Sequence, residues 1–379
     1  MSEPVRVALR SLNLSNFRNY ESLSLRLGAG LVAFVGANGA GKTNLLEAVS
    51  LLTAGRGLRR AQLDDIIRKG GEGGFAVSAR LEGPAGETRL GVGHGPQDTG
   101  RRVRIDGEDV RGSDRLLDYL RVLWLLPAMD GLFTGPAGDR RRFLDRLVLA
   151  VDPGHGRRVA DLEKVLRARN RLLDEGGAAG FLDALEAQLA PLAISVSYAR
   201  RETVSLLAAR IIAQAELGLP FPQAGVVLSG AFEEEAEGLA AGDLEDRYRE
   251  ALAASRHRDR AAGRTLMGPH RSDLVVTHLA KDMPAAMAST GEQKALLIGL
   301  ILAHADVTAR TAGMTPLLLL DEVAAHLDPD RRRALFARLH DLSLQVLMTG
   351  TDPQLFADLP AGSMLLHVAN AGVSEYGAG

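Results

Sequence analysis

One short stretch restricts the fold of this chain more than any other. Gly36-Ala37-Asn38-Gly39-Ala40-Gly41-Lys42-Thr43 follows an apolar run from Leu31 to Val35 and precedes Leu45, Leu46, Val49 and Leu52 at helical spacing. Strand, glycine loop and helix in that order are the setting that G-x-x-x-x-G-K-[ST] requires. In such a loop the glycines let backbone N–H groups wrap phosphates, the lysine reaches the β- and γ-phosphates, and the hydroxyl of Thr43 coordinates Mg²⁺. A chance glycine turn calls for neither flank. The expectation is an α/β fold with a nucleoside triphosphate site, ATP with Mg²⁺, running from Gly36 to Thr43.

Two further segments bear on that site. Leu317 to Leu320 is an apolar run ending in Asp321-Glu322, the pattern of a buried strand delivering carboxylates to its C-terminal edge. Asp321 is placed to hold Mg²⁺ directly or through a water, and Glu322 to polarise an attacking water, since γ-phosphate hydrolysis needs a positioned base. Acids at the solvent edge of a strand are common, so the pair gains its meaning from Lys42. Ser289-Thr290-Gly291-Glu292-Gln293-Lys294 opens an apolar helix from Ala295 to Ala303, with Ser289 or Thr290 as N-cap. Such an N-terminus is an anion site or a plain cap.

The rest of the chain reads as two kinds of material. Leu9 to Leu27 alternates as strand, turn, strand around Phe17 to Tyr20; Phe75 to Arg80, Thr88 to Gly93 and Val103 to Ile105 read as antiparallel strands, with Asp106-Gly107 as a hairpin turn. Beyond Gly112 long Ala-, Leu- and Arg-rich stretches read as helices until about Gly225, among them Asp161 to Asp174 and Phe181 to Gln214, the latter kinked or split by Pro191. Strands resume at Leu274 to Thr277. With 379 residues more than one compact unit is expected. The expected division is an N-terminal lobe over 1–112, a mainly helical arm over 113–264 and a C-terminal lobe over 265–379.

Composition excludes several classes. The chain is 46% hydrophobic and 24% charged with a formal net charge of −2, the balance of an ordinary globular protein. Having no cysteine, it has no disulfide, thiolate metal site or cysteine nucleophile. The segment from Met1 to Leu12 lacks the apolar stretch of a signal peptide, and no run is expected to approach a membrane span, which makes the cytoplasm the expected compartment.

The order of phosphate loop, Ser-x-Gly-x-Gln segment, Asp-Glu strand and His326-Leu327-Asp328 resembles the ATP-binding-cassette heads of SMC and Rad50 proteins. Within that class the chain resembles the RecF family of bacterial DNA replication and repair proteins. The marks are Asn16-Phe17-Arg18-Asn19-Tyr20, Gly39 to Asn44, Gly135-Pro136 with Arg141-Arg142-Phe143-Leu144-Asp145, Gly268-Pro269-His270-Arg271-Ser272-Asp273, and Ser289 to Lys294. The resemblance implies a P-loop head, a mixed sheet with a flanking antiparallel β lobe, plus an inserted helical domain. It implies a homodimer formed on ATP, with Ser289 and Gly291 facing the γ-phosphate of the other subunit and Asp328 at the same interface. Arg18 is expected near the nucleotide, or else as a core arginine satisfied by a carboxylate. The family's pattern fails at two points. No glutamine stands out in the loop linking the lobes, and the strand Gln345 to Met348 ends in Thr349-Gly350-Thr351 rather than a switch histidine.

The resemblance also implies slow, timer-like hydrolysis, DNA binding, RecO and RecR as partners, and RecA loading at gaps. Lys164, Arg167, Arg171, Arg200, Arg201, Arg256, Arg258 and Arg260 supply candidate phosphate contacts. The alternative for any one of them is a solvated helix face paired with an acid such as Glu163 or Asp174. A rival for the whole chain is the ATP-binding subunit of a membrane transporter, which leaves the helical segment and Gly268 to Asp273 unexplained. A full SMC or Rad50 protein would need a long heptad arm, which about 150 residues of mixed helix cannot supply at about 1.5 Å per residue.

Overall fold

The computed structural model describes residues 3–376. Strands β1 (Ala8–Phe17) and β2 (Tyr20–Arg26) form a hairpin whose turn places Arg18 in the left-handed region at φ 54°. Along β1, Leu12 and Leu14 are buried while Ser15 is exposed, the alternation of a sheet with one wet face. Strand β3 (Leu31–Val35) is instead buried at every position, as a parallel strand covered on both faces must be. It runs into the glycine loop and helix α1 (Lys42–Ser50). Strands β4 (Phe75–Gly83), β5 (Gly86–His94), β6 (Arg102–Ile105) and β7 (Glu108–Val110) complete an antiparallel sheet in the order β2-β1-β4-β5-β6-β7. Asp106 and Gly107, at φ 51° and 91°, make the two-residue turn between β6 and β7 that right-handed strand twist favours. Strand β8 (Val122–Leu125) follows.

Two compact units emerge. One comprises the chain up to Asp130, Arg210–Pro222 and Ser289 onward; the other comprises Gly131–Ala209 and Gln223–Ala288. The second unit holds α2 (Ala137–Val151), α3 (His155–Asp174), most of α4 (Ala179–Gln214), β9 (Ala224–Ser229), α5 (Ala231–Glu235), α6 (Ala241–Ala262), β10 (Asp273–His278) and β11 (Met283–Pro284). Its three strands pair in the order β11-β10-β9. Leu162, Leu189, Phe232, Tyr248 and Leu252 lie in its core. Fully buried Arg169 ties α3 to α4 and α6 through Glu186 at 2.9 Å and Asp259 at 2.7 Å. These boundaries differ from the sequence reading at both ends. Val122–Leu125 lies in the first unit's sheet, inside a stretch read as helical, and Leu274–Thr277 pairs with β9 rather than rejoining the first unit. Pro191 does not split α4, which is one continuous helix lacking the N–H that proline cannot donate.

The first unit resumes with α7 (Thr290–Ala312), β12 (Leu317–Leu320), α8 (Pro329–Asp341), β13 (Val346–Gly350), β14 (Met364–Ala369) and β15 (Gly372–Glu375). The second six-stranded sheet has the order β15-β14-β3-β13-β12-β8, parallel from β14 to β8 with β15 antiparallel at one edge. The four leucines of β12 are at most 2% exposed, each contributing about 1.5–3 kcal/mol. The expectation that no run approaches a membrane span is corrected. Ala179–Leu217 and Thr290–Ala312 are long and apolar enough, at mean hydropathies of 1.2 and 1.4. The apolar window of Thr290–Ala312 is 78% buried within the protein, so its apolarity serves a core helix.

Register fixes what meets at the sheet's C-terminal edge. Val35 pairs with Gly350, and Leu320 pairs with both Met348 and Leu125. The loops leaving β3, β12, β13 and β8 therefore emerge together, the position where parallel sheets place their sites.

Candidate functional site

The glycine loop is shaped by three contacts that no side chain could share. A Cβ at Gly36 would come within 2.2 Å of the Val368 carbonyl oxygen. Gly41 has φ 109°, and a Cβ there would lie 2.5 Å from Asn19 Nδ2 and 2.7 Å from the Tyr20 hydroxyl. Those neighbours brace the loop: Tyr20 Oη donates to the Gly41 carbonyl at 3.1 Å, Asn19 Nδ2 to the Ala40 carbonyl at 3.3 Å, and Asn44 Nδ2 to Asn19 Oδ1 at 2.8 Å. Burial pushes the Tyr20 hydroxyl well above the ordinary phenol range, so it remains a donor. Helix α1 has no side-chain cap and no acid in its first turn, which leaves its N-terminus open to an anion.

Lys42 is only 5% exposed. Its ammonium donates to the carbonyls of Gly36 at 2.7 Å and Ala37 at 3.0 Å, and stands 3.6 Å from Glu322 Oε1. Thr43 Oγ1 lies 3.0 and 3.1 Å from the two carboxylate oxygens of Asp321. The hydroxyl of Thr349 donates to Asp321 Oδ1 at 2.7 Å and accepts from the backbone N–H of Glu322 at 3.0 Å. Glu322 itself sits at φ 55°, a left-handed backbone that turns its carboxylate toward Lys42. One threonine on β13 thus orients both acids that follow β12.

Lys42, Thr43, Asp321 and Glu322 line a cavity of about 590 Å³ with Asn38, Gly39, Asn44, Arg59, Pro127 and Thr351, while Thr349 lies behind it. A hydroxyl and a carboxylate are hard oxygen donors, and Thr43 with Asp321 fits Mg²⁺, which takes one or two protein ligands and completes its shell with water and phosphate. Consistent with that division, no group of three or more His, Asp or Glu side chains able to hold a metal occurs among the described residues. Pro127, in the loop after β8, and Thr351, beyond β13, line the cavity.

Of the two readings of Arg18, the structure shows the arginine satisfied by a carboxylate. Its guanidinium is paired in two-pronged fashion with Glu47, at 2.8 and 2.6 Å, and donates to the Asp65 carbonyl at 2.7 Å. It does not line the cavity. Arg59 does, held by Asn44 at 2.7 Å and by Glu47 at 3.0 Å. Ser289 caps α7 in a reciprocal box with Glu292, and Ser289, Thr290 and Gly291 are exposed. Asp328 is also exposed and caps α8, accepting from the Arg331 N–H at 2.9 Å.

Among the candidate phosphate contacts, Lys164, Arg167 and Arg171 on α3 and Arg258 and Arg260 on α6 are exposed. Arg167 has Glu163 3.6 Å away. Arg201 is half-buried and donates to the Ala236 carbonyl at 3.4 Å. Two expectations fail. Arg200 is 3% exposed and clamped to Asp145 at 2.8 and 2.9 Å; Arg256 pairs with Asp183 and Glu186. Both guanidiniums are used inside the helical unit. The motifs around them build that unit too. Asp145 also holds His155 at 2.8 Å, and a Cβ at Gly268, φ 131°, would fall 2.2 Å from the Tyr248 hydroxyl.

Comparison with known proteins agrees with this arrangement. Residues 8–373 match the RecF/RecN/SMC N-terminal domain family. The chain is 56% identical over 368 residues to the DNA replication and repair protein RecF of Mesorhizobium japonicum, covering 96% of this chain and 97% of that one. It is 57% identical over 354 residues to the protein of that name from Allorhizobium ampelinum, covering 93% and 94%. A solved structure of the recombination mediator protein RecF-ATPrS in the RecFOR pathway superposes with a TM-score of 0.87 at 21% identity, over 99% of this chain and 100% of that one. An Smc head from Pyrococcus furiosus superposes at 0.56 and 14% identity, over 98% and 96%. The fold is an ABC-type ATPase head with an inserted helical domain, and the chain belongs to the RecF family of DNA replication and repair proteins.

Proposed function

We propose that this chain binds Mg²⁺-ATP, closes into a homodimer on it, engages DNA in the closed state and resets by slow hydrolysis to ADP and phosphate. The observation that carries this reading is the convergence of Lys42, Thr43, Asp321 and Glu322 at one sheet edge, within 3.0 to 3.6 Å of one another in pairs. Lys42 exchanges its loop carbonyls for the β- and γ-phosphates. Thr43 and Asp321 hold Mg²⁺, which supplies charge neutralisation on the phosphate oxygens. Glu322 orients and deprotonates the attacking water. Ala37, Asn38, Gly39 and Ala40 present backbone donors.

The dimer reading is supported by exposure. Ser289, Thr290 and Gly291 stay exposed beside the Ser289–Glu292 capping box, and a Cβ at Gly291 would meet nothing within 4 Å. In the proposed dimer Ser289 and Gly291 of one subunit complete the γ-phosphate site of the other, with Asp328 beside them. Exposed cations on α3 and α6 then contact DNA phosphates. The proposed setting is cytoplasmic recombinational repair and replication restart, acting with RecO and RecR to assist RecA loading at gaps; relatives named DNA replication and repair protein and a solved recombination mediator of the RecFOR pathway support its repair part. Family membership leaves the transporter reading without support. Sedimentation with ATP, with ADP and with no nucleotide tests the proposal. A dimer with ATP alone, stabilised by Glu322→Gln, is expected; a monomer under all three conditions would refute it.

A further inference from the structure

The wet face of the antiparallel sheet has an unusual composition. Reading across by register, Arg26, Ser11, Arg80 and Arg89 stand in one row on β2, β1, β4 and β5. The next row is Ser24, Asn13, Ser78, Gly91 and Arg104. The third is Ser22, Ser15, Ala76, Gly93 and Arg102. Exposed strand faces ordinarily carry β-branched or long side chains. Here the floor is serine, asparagine, alanine and glycine, and arginines stand around it. Two adjoining depressions of about 430 and 390 Å³ lie on this face.

Gly91 points to a ligand independently of charge. It sits inside β5, its φ is not positive, and an added Cβ would make only an ordinary contact at 3.6 Å with the Arg104 Cβ. Neither conformation nor packing calls for glycine there. A strand glycine without such a reason marks a place where another molecule approaches closely.

Charge identifies what approaches. Glu82 pairs with Arg10 at 2.7 Å, Glu87 with Arg80 at 3.6 Å, and Asp109 with Arg104 at 2.8 Å and Arg102 at 3.3 Å. Asp98, at one end, accepts from the Gly95 N–H at 2.7 Å. Neither the Arg26 nor the Arg89 guanidinium has an ion-pair partner among the described residues, although the Arg89 backbone N–H donates to Asp106 Oδ1 at 2.7 Å. Exposed pairs of this kind are weak and exchange readily, and guanidinium binds phosphate through two parallel bonds. Neighbouring positions in a row are about 4.8 Å apart and successive rows about 6.8 Å apart, so the arginines span a patch wide enough to follow a nucleic-acid backbone, with hydroxyl donors between them.

We infer that this sheet face is a docking surface for the phosphate backbone of DNA, separate from the cations on α3 and α6. The inference rests on the DNA-binding part of the proposed function and locates a surface for it. Small floor residues let the backbone lie against the sheet while the arginines grip its phosphates, with no groove for base recognition.

DNA affinity measured across salt concentrations in the presence of ATP tests the assignment, using wild type, Arg26→Ala/Arg89→Ala, Gly91→Leu and Gly91→Ala. The double variant is expected to bind about tenfold more weakly and to flatten the plot of log affinity against log salt by roughly 1.8, at about 0.9 for each phosphate no longer neutralised. Gly91→Leu is expected to weaken binding comparably by blocking the floor, whereas Gly91→Ala stays near wild type. Thermal melting checks that each variant folds; the arginine pair, exposed and with no ion pair on either guanidinium, is expected to melt as wild type does, since the Arg89 backbone bond to Asp106 survives in alanine. Wild-type slope and affinity in both the double variant and Gly91→Leu would overturn this assignment while leaving DNA binding intact. No binding by wild type would instead refute the DNA reading itself. Displacement of DNA by polyglutamate at equal charge concentration would overturn the assignment in favour of an acidic protein segment.

Discussion

Thr349→Val is the substitution whose effect the geometry defines best. Valine keeps the volume and the β-branch that β13 accommodates, and removes only the hydroxyl. Two hydrogen bonds go with it: the 2.7 Å bond to Asp321 Oδ1 and the 3.0 Å bond from the Glu322 N–H. A hydrogen bond to a charged group contributes about 1.5–3 kcal/mol, and an orphaned donor costs about 1–3 kcal/mol. Asp321 keeps Thr43, and Glu322 keeps its covalent place, so part of the constraint survives. A loss of about 2 kcal/mol in orienting the two carboxylates corresponds to roughly a thirtyfold fall in kcat. The assay is steady-state ATP turnover beside nucleotide affinity from a fluorescent analogue. Affinity, carried by Lys42 and the loop amides, is expected to stay within about threefold of wild type. Thr349→Ser, which retains the hydroxyl, is expected to recover most of kcat. Wild-type turnover in Thr349→Val, or equal losses in Thr349→Ser and Thr349→Val, would refute the positioning role.

Other perturbations follow from the same geometry. Gly41→Ala, which forces a Cβ against Asn19 and Tyr20 at φ 109°, is expected to abolish nucleotide binding by calorimetry, whereas Gly39→Ala, with nothing within 4 Å, meets only the backbone cost of its positive φ. Arg169→Met leaves the Asp259 carboxylate buried without its cation, while Glu186 keeps Arg256, and is expected to destabilise the helical unit by about 3–5 kcal/mol in denaturant titration. His270 is held by burial first, and by Arg271, Arg141 and Arg200 nearby, down to about 4 against an ordinary 6.5. Because the folded value is depressed, its contribution is complete above pH 6.5 and is lost as pH falls toward 4, about 3 kcal/mol at about 1.4 kcal/mol per unit. Denaturant midpoints of wild type and His270→Asn between pH 7 and 4 check this, the variant showing the shallower decline.

The parts of the site that were legible in the sequence are those written in adjacent residues. Gly36 to Thr43 declared a loop between strand and helix because glycine spacing, β3 and α1 are contiguous, and Ser289 declared itself through its place before an apolar helix. What could not be read was partnership across distance. Asp321 and Thr349 meet only because β12 and β13 are neighbours in register. Arg18 offered two readings, and nothing local revealed that Glu47, on the inner face of α1, would take its guanidinium and leave Arg59 at the cavity. Val122–Leu125 is too short to show a period, and its surroundings are Leu- and Arg-rich, so the edge strand of the parallel sheet passed as helix. Arg200 and Arg256 resembled their exposed neighbours because charge patterning does not distinguish a solvated cation from one clamped by Asp145 or Glu186.

The central claim is that the Lys42 site is half of a catalytic centre completed by Ser289 of a second copy. Mixing two inactive variants, Lys42→Ala and Ser289→Arg, measures this directly. In a mixed dimer one site joins an intact Lys42 to an intact Ser289, and the other combines both lesions. Equal mixing is expected to restore ATP turnover to roughly a quarter of wild type, since half the two-fold dimers are mixed and each has one intact site. Turnover in the mixture no greater than the average of the two variants alone would contradict a site shared between subunits.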